Sequence, residues 1–173
     1  ILVNNAGTAT SNSLAKIKLT EWEHIMAVNA TGTFLCTQSM MPEMAEQRWG
    51  RVVNVASVAG LKGGKYVSAY TAAKHAVVGF TRSVAAEAEG TGVTVNAVCP
   101  GYVDTPLTDE TIARIMARTG KSRDDALVAI LEQSGQPRLI RADEVAGAIL
   151  KLCEDSANDT NGELVILDGK DTP

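Results

Sequence analysis

The sequence predicts an α/β fold in which a doubly wound parallel sheet carries helices on both faces, giving three layers. Short apolar runs alternate with longer stretches of helical periodicity along the chain, and strands that alternate with helices form parallel sheets. The runs are apolar at nearly every position, as in strands that are buried on both faces. No repeat or low-complexity tract divides the 173 residues, so we expect a single domain over residues 1–173.

Four apolar runs predict the strands of this sheet. The first covers residues 1–4, and the second covers residues 52–56, where β-branched residues predominate. The third covers residues 93–99 and ends where a Pro-Gly pair stops it. The fourth is expected at residues 164–167.

Two long helices are predicted between the first three strands. The first runs from Thr20 to about Gln47, with a capping box of Thr20 and Glu23 at its start and a kink at Pro42. The second covers residues 68–88 and ends near two glycines.

The polar stretch at residues 106–139 is predicted to be an insertion between the third strand and the last helix. Thr105 or Thr108 can cap a helix at its start, and a short helix follows at residues 122–133. The last long helix is expected at residues 142–153. In a doubly wound sheet, such an insertion lies over the carboxyl ends of the strands, where ligands bind.

Composition excludes several classes of function. Hydrophobic residues make up 45% and charged residues 21%, which is typical of a globular protein. A net charge of -4 argues against a nucleic-acid partner, and no apolar run reaches the ~18 residues of a membrane helix. Two histidines and three scattered cysteines make a poor metal set. Because no signal peptide is evident, we expect a cytoplasmic protein whose Cys36, Cys99 and Cys153 are buried, reduced thiols.

Tyr70 and Lys74 form the first candidate for chemistry. They lie four residues apart on a predicted helix, so their side chains share one face. A free phenol titrates near pH 10, and a neighbouring ammonium favours the phenolate. The pair can therefore exchange a proton with a carbonyl or alcohol oxygen. Ser57 follows a predicted strand, and its hydroxyl could donate to the same oxygen.

Five short motifs, in order, extend this pattern over nearly the whole chain. They are NNAG at 4–7, VNATG at 28–32, NVAS at 54–57, YTAAK at 70–74 and NAVCPGYVDTP at 96–106. Together they resemble the compact single-domain branch of the short-chain dehydrogenase/reductase family, from residue 1 to about residue 169. The resemblance implies a Rossmann-type fold and an NAD(P)-dependent oxidoreductase.

The resemblance implies four catalytic residues. Tyr70 would be the general acid/base, and Lys74 would lower its pKa and hydrogen-bond the nicotinamide ribose. Ser57 would orient the substrate carbonyl. Asn29 would hold a water that links Lys74 to solvent; the alternative is a helix residue with a satisfied amide.

The resemblance also implies residues that bind the cofactor, NAD or NADP. Asn5, Ala6 and Gly7 would line the dinucleotide, with Gly7 allowing close approach of the backbone. Tyr70 and Lys74 would contact the same ligand. No metal is expected.

A second cofactor-binding segment is implied after the third strand. Pro100 and Gly101 would turn the chain beside the nicotinamide, and Val103 and Thr105 would hold its carboxamide. The competing role for Thr105 is that of a helix N-cap.

The family's glycine-rich TGxxxGxG turn is absent from these residues, as are its first three strands. We therefore expect the C-terminal part of a longer domain, lacking on the order of 80 residues. On that expectation, this chain alone binds dinucleotide poorly, and the choice between NAD and NADP stays open.

The substrate expected is a ketone or secondary alcohol, with a 3-oxoacyl compound favoured. The segments 73–81 and 96–106 resemble β-ketoacyl reductases, whereas the insertion and Gln136-Pro137 resemble 3-hydroxybutyrate dehydrogenases. Ala59 and Val67 stand where we would expect polar groups for a small carboxylate, which favours the ketoreductase. Lys62 and Lys65 could meet an anionic substrate or simply lie in a solvated loop.

Small residues on the second long helix permit close helix packing, and the family pairs these helices between subunits, so we expect a homodimer or homotetramer. Three alternatives stay open. They are a catalytically silent binding protein on the same fold, an extended relative acting on nucleotide sugars and an inactive remnant. The short tail after the last strand argues against the extended relative.

Overall fold

The computed structural model describes residues 1–170. Four strands form one parallel sheet in the order β1 (Leu2–Asn4), β2 (Gly50–Val55), β3 (Val93–Pro100) and β4 (Leu164–Leu167). Each expected strand is present, with bounds that differ by no more than two residues. Because all four strands are parallel, their carboxyl ends meet at one edge of the sheet.

Helices pack on both faces of this sheet, as predicted, and two of the six described α-helices lie at its carboxyl edge. The helices are α1 (Leu19–Met26), α2 (Gly32–Glu46), α3 (Ser68–Glu87), α4 (Pro106–Thr119), α5 (Arg123–Ser134) and α6 (Ala142–Cys153). Adjacent residues of β2 show the two faces. Val52 packs with Met44 of α2 and Val84 of α3, whereas Val53 packs with Leu152 of α6. Three layers are therefore confirmed.

The first long helix is interrupted earlier than expected. Between α1 and α2, residues Ala27–Thr31 form a π-helical turn. Pro42 lies within α2, which continues to Glu46. A π-helical turn inside a helix frequently marks a functional site, and this one contains Asn29.

The predicted capping box at Thr20 is wrong. The chain enters α1 in an extended conformation at Lys18, and no side chain caps the helix. The amides of Glu21 and Trp22 bond instead to the Lys18 carbonyl. Thr20 therefore lies inside the first turn, where its hydroxyl cannot act as the cap.

A chain of buried amides and hydroxyls crosses the sheet. Asn4 Nδ2 donates to Thr37 Oγ1 at 3.0 Å and to Asn54 Oδ1 at 2.8 Å. Asn54 Nδ2 donates to Thr81 Oγ1 at 2.9 Å. Because these groups satisfy one another, the interior tolerates polar side chains within otherwise apolar strands. The chain also ties α2 and α3 to β1 and β2.

The insertion forms two helices that pack on each other. Ile112 of α4 and Ala126 of α5 belong to one apolar cluster, against which Tyr102 packs. Ser122 caps α5 by accepting a hydrogen bond from the amide of Asp125.

This helix pair bridges loops that leave the carboxyl ends of β1 and β2. Arg118 of α4 donates to the carbonyl of Ser11 at 3.2 Å. Lys62, in the loop after β2, donates to the carbonyl of Ser134 at 3.2 Å. The insertion therefore lies at the edge of the sheet where parallel strands place ligands.

Within residues 1–170, no helix is long and apolar enough to cross a membrane, and no three His, Cys, Asp or Glu residues gather as a metal site. The expectation of three buried thiols is wrong in part. Cys99 is buried, Cys153 is half-buried and Cys36 is exposed. Cys36 lies beside exposed Leu35 on α2.

Candidate active site

The candidate site lies at the carboxyl ends of β2 and β3, beneath the first turns of α3. Ser57 follows β2 by two residues, and α3 presents Tyr70 and Lys74 one turn apart. Lys74 Nζ donates to the carbonyl of Val55 at 2.8 Å. The end of the strand thus holds the ammonium in place.

Ser57 connects three segments of this site. Its hydroxyl donates to the Pro100 carbonyl at 3.3 Å and accepts from the amide of Ala59 at 3.1 Å. It also lies close enough to the phenol of Tyr70 to lower the pKa of that group. A serine and a tyrosine hydroxyl therefore meet at one point, where both can address a single substrate oxygen.

Lys74 is buried behind the tyrosine. Its side chain is 4% exposed, and Nζ lies 5.7 Å from the centroid of the Tyr70 ring. Burial lowers the pKa of Lys74 to about 8, an effect that the nearby Cys99 thiol opposes. An ammonium with such a pKa can lose its proton close to neutral pH.

The pKa of Tyr70 departs in the direction opposite to the one expected. Burial raises it above its ordinary value, the nearby Ser57 hydroxyl lowers it, and the neighbouring Tyr102 raises it further. Lys74 is expected from the sequence to bring this pKa down, but burial dominates because the charged phenolate loses water. The phenol is therefore protonated at neutral pH.

Gly7 separates Lys74 from Asn29. A Cβ at Gly7 would lie 3.1 Å from Asn29 Oδ1 and 3.7 Å from Lys74 Nζ. Asn5, Ala6 and Gly7 are exposed on the loop after β1. A side chain at Gly7 would fill the space beside the ammonium, which keeps two N–H groups beyond its bond to β2. This cradle fits a ligand that offers hydroxyl acceptors, as a dinucleotide ribose does.

Asn29 holds the loop that carries Gly7. It is 1% exposed, and its Nδ2 donates to the carbonyls of Thr8 and Ile25, both at 2.9 Å. Its Oδ1 accepts from the amide of Thr8 at 3.3 Å. The side-chain amide of Asn29 thus has hydrogen-bond partners, which is the alternative role that the sequence left open for this residue. The role in a water relay stays a prediction.

The segment after β3 places the second group of expected cofactor residues at the same edge. Pro100 ends β3 and Gly101 follows it. Val103 forms an isolated parallel bridge with Ile140. Thr105 precedes α4, but its side chain makes no capping bond and donates instead to the Val103 carbonyl at 3.3 Å. The hydroxyl of Thr105 is therefore not used as an N-cap.

Gln136 is a site residue whose role the sequence did not reveal. It is 6% exposed. Its Oε1 accepts from the amide of Tyr102 at 2.8 Å, and its Nε2 donates to the carbonyls of Tyr102 at 2.8 Å and Arg138 at 2.6 Å. A Cβ at Gly101 would collide with the same side chain. Gln136-Pro137 appeared in the sequence only as a likeness to relatives, so no local signal indicated this contact.

The fold and the site together define a class of protein. The family described as short chain dehydrogenase matches residues 1–115. The chain belongs to the short-chain dehydrogenase family.

Relatives cover almost all of the chain. A D-beta-hydroxybutyrate dehydrogenase of Rhizobium meliloti is 39% identical over 171 residues, which are 98% of this chain and 66% of the relative. A 3-oxoacyl-[acyl-carrier-protein] reductase of Aquifex aeolicus is 37% identical over 169 residues, 98% of this chain and 64% of that protein. The chain thus spans just under two thirds of the length of these two relatives.

A solved structure matches a similar share of this chain and of its own length. A crystal structure of an actinorhodin polyketide ketoreductase variant with NADPH superimposes with a TM-score of 0.90 at 33% identity. The match covers 97% of this chain and 65% of the ketoreductase. The Rossmann-type architecture expected from the motifs is therefore confirmed.

Proposed function

We propose that the protein is an NAD(P)-dependent oxidoreductase that transfers a hydride between the nicotinamide and a ketone or secondary alcohol. The observation that carries this proposal is the position of the Ser57 hydroxyl beside the Tyr70 phenol, whose pKa it lowers, with the buried ammonium of Lys74 5.7 Å from the ring of Tyr70. Two hydroxyls that converge on one point suit an oxygen whose negative charge grows during reduction.

In the direction of reduction, Tyr70 acts as the general acid. Its raised pKa keeps the phenol protonated, so that it can donate to the carbonyl oxygen of the substrate. Ser57 donates to the same oxygen and fixes its position. The nicotinamide supplies the hydride when it is bound.

Lys74 restores the proton to Tyr70. Its pKa of about 8 allows the ammonium to give up a proton near neutral pH and to regain it from solvent. Asn29, on the other side of Gly7, is proposed to hold the water that connects Lys74 to solvent.

The cofactor is proposed to lie along the carboxyl edge of the sheet. Two loops would hold it: residues Asn5, Ala6 and Gly7 after β1, and residues Pro100, Gly101, Val103 and Thr105 after β3. Lys74 would reach the ribose hydroxyls with its free N–H groups. The polyketide ketoreductase carries NADPH, and direct titration with NADH and NADPH decides the choice here.

The substrate proposed is a 3-oxoacyl compound or a similar ketone. Relatives named as 3-oxoacyl reductases and as hydroxybutyrate dehydrogenases are both compatible with a 3-oxo or 3-hydroxy group. Ala59 and Val67 offer no polar group near Ser57 and Tyr70 to bind a short carboxylate, which favours the larger substrate.

A homodimer or homotetramer is also proposed. Phe34 and Leu35 of α2 are 41% and 53% exposed, and Phe34 packs edge-on against Phe80 of α3. Exposed apolar side chains on α2 favour burial against a second subunit.

Substitution of Tyr70 by Phe tests the proposed function. Reduction of ethyl acetoacetate by NADH or NADPH is followed at 340 nm, for this chain and for any longer product of its gene. Loss of the general acid should lower kcat by at least about 10²-fold, while dinucleotide binding persists. The matched control is Tyr66→Phe, which changes a phenol that is 58% exposed. Dinucleotide binding without any turnover in the unmodified protein would contradict an enzyme and favour a binding protein.

A further inference from the structure

A cationic cleft lies between the loop after β1 and the insertion. Its volume is about 490 Å³. Residues 10–12 form one wall, and Arg114 and Arg118 of α4 form the other, with Lys16 and Glu21 completing it. None of the proposed catalytic side chains lines this cleft.

Glu21, the acidic residue that lines the cleft, already accepts hydrogen bonds from the loop after β1. Glu21 accepts from Thr10 Oγ1 at 2.6 Å and from Asn12 Nδ2 at 3.0 and 3.1 Å. These bonds lower the pKa of Glu21, so its carboxylate stays ionised and holds the loop by hydrogen bonds. The carboxylate of Glu21 therefore fixes the wall of the cleft, and its one negative charge offsets only part of the charge of Lys16, Arg114 and Arg118.

The arginines of the cleft have little carboxylate compensation. Arg114 Nη1 lies 3.9 Å from the nearest carboxylate, that of Glu110, and the Nε of Arg114 is buried with no hydrogen-bond partner in residues 1–170. Arg118 bonds only a backbone carbonyl, and Lys16 forms no ion pair with a described residue. By contrast, Arg123 on α5 pairs with its carboxylate at 2.7 Å. Three cations gathered in a protein of net charge -4 thus retain capacity for an anion.

The cleft is connected to the reacting groups by short segments of chain. Ser11 lies four residues after Gly7, and the amide of Asn12 donates to the carbonyl of Tyr66, four residues before Tyr70. Four extended residues span at most about 13 Å. Ser11, on the wall of the cleft, therefore lies within about 13 Å of Gly7, so an elongated substrate could extend from the reacting groups into the cleft.

We propose that Lys16, Arg114 and Arg118 form a subsite for an anionic group, a phosphate or a carboxylate, at the distal end of the substrate. This inference rests on the proposed function, because the cleft adjoins the site of hydride transfer. It adds a specificity determinant that acts on binding and not on the chemical step. The probes described below distinguish a phosphate from a carboxylate.

The test measures binding directly by calorimetry, without turnover. One probe pair is pantetheine and 4′-phosphopantetheine, and the other is glutaramide and glutarate. We expect one anionic probe of the two pairs to bind in preference to its neutral partner, and this identifies the anion. In Arg114→Gln and Arg118→Gln, that binding should weaken about 10- to 100-fold, the range for a charge-assisted hydrogen bond.

Arg123→Gln is the matched control, since it removes an arginine of the same insertion that is already paired with Asp109. Equal binding of anionic and neutral probes, or equal loss in Arg123→Gln and the two cleft variants, would overturn the subsite. Thermal melts of each variant separate loss of fold from loss of binding. Reduction of uncharged ethyl acetoacetate tests the proposed function separately, and the cleft variants should retain this activity. If the unmodified protein binds the anionic probe but neither it nor any variant reduces ethyl acetoacetate, the proposed function is contradicted and the subsite is not.

Discussion

Gln136 satisfies both backbone polar groups of Tyr102 with one side-chain amide, accepting from its N–H and donating to its C=O at 2.8 Å each. The carboxamide is buried, so it acts like a short piece of sheet between the insertion and the segment after β3. Its position fixes Tyr102, the neighbour that raises the pKa of Tyr70.

Gln136→Leu should therefore lower the free energy of unfolding. It leaves the amide of Tyr102 without its acceptor, at a cost of about 1–3 kcal/mol, whereas the Tyr102 carbonyl still accepts from the amide of Ile140 at 3.0 Å. Urea denaturation measures the change. Gln133→Leu alters an exposed residue of α5 and serves as the control; similar losses in both variants would contradict the role given to Gln136.

Gly60→Ala should disturb the packing beneath α3. A methyl group there would lie 2.7 Å from the backbone oxygen of Lys74, so the helix must move and carry its ammonium with it. Such overpacking costs about 1–3 kcal/mol. Thermal denaturation and the kcat of reduction should fall together. Gly147→Ala, which has open space around it, should be neutral or stabilising, and equal effects of the two changes would refute the clash.

Lys74 should make stability depend on pH in a defined window. Its pKa is about 8 when folded and about 10.4 when unfolded. Between these values the unfolded chain binds more protons, so the free energy of unfolding rises with pH by up to about 3 kcal/mol. The destabilising contribution is complete below pH 8.

The measurement compares urea denaturation of the unmodified chain with that of Lys74→Met from pH 7 to 10.5. Buried Cys99 and Tyr70 have raised pKa values and act in the opposite sense, so only the difference between the two proteins isolates Lys74. Lys121→Met, at an exposed lysine, should keep the slope of the unmodified chain. Parallel slopes for the Lys74 variant would mean that its ammonium is not destabilised by burial.

Leu35→Glu should dissociate the proposed oligomer, because a carboxylate cannot be buried on the α2 face without a partner. Multi-angle light scattering measures the mass. Val128→Glu is the matched control, since Val128 of α5 is 52% exposed, close to the 53% of Leu35. A monomeric unmodified protein, or an oligomer that survives Leu35→Glu, would contradict this interface.

Periodicity and β-branched residues were sufficient to predict all four strands, because these signals are local. The same is true of α3 and α6, whose observed bounds, Ser68–Glu87 and Ala142–Cys153, lie within a residue of the expected ones. The cap of α1 was predicted wrongly because Thr20 satisfies a local capping pattern, whereas the chain turns into the helix at Lys18, whose carbonyl accepts from the amides of Glu21 and Trp22.

The candidate site was predictable where spacing alone brings residues together. Tyr70 and Lys74 share a helix face because they are four residues apart. The position of Ser57 at the carboxyl edge of the sheet followed from the predicted end of its strand. Gln136 and the raised pKa of Tyr70 were not predictable, since both depend on contacts between segments far apart in the chain and on the burial that those contacts create.

The amide and hydroxyl chain through the sheet has a consequence for the order of folding. Its bond from Asn4 to Asn54 joins residues 50 positions apart. Contacts between residues so far apart in the sequence form late, because the chain must first lose the conformational entropy of the long loop between them. Lys74 meets the Val55 carbonyl only after β2 and α3 have docked, so the reacting groups should assemble in the last cooperative step, and partly folded molecules should carry no site at all.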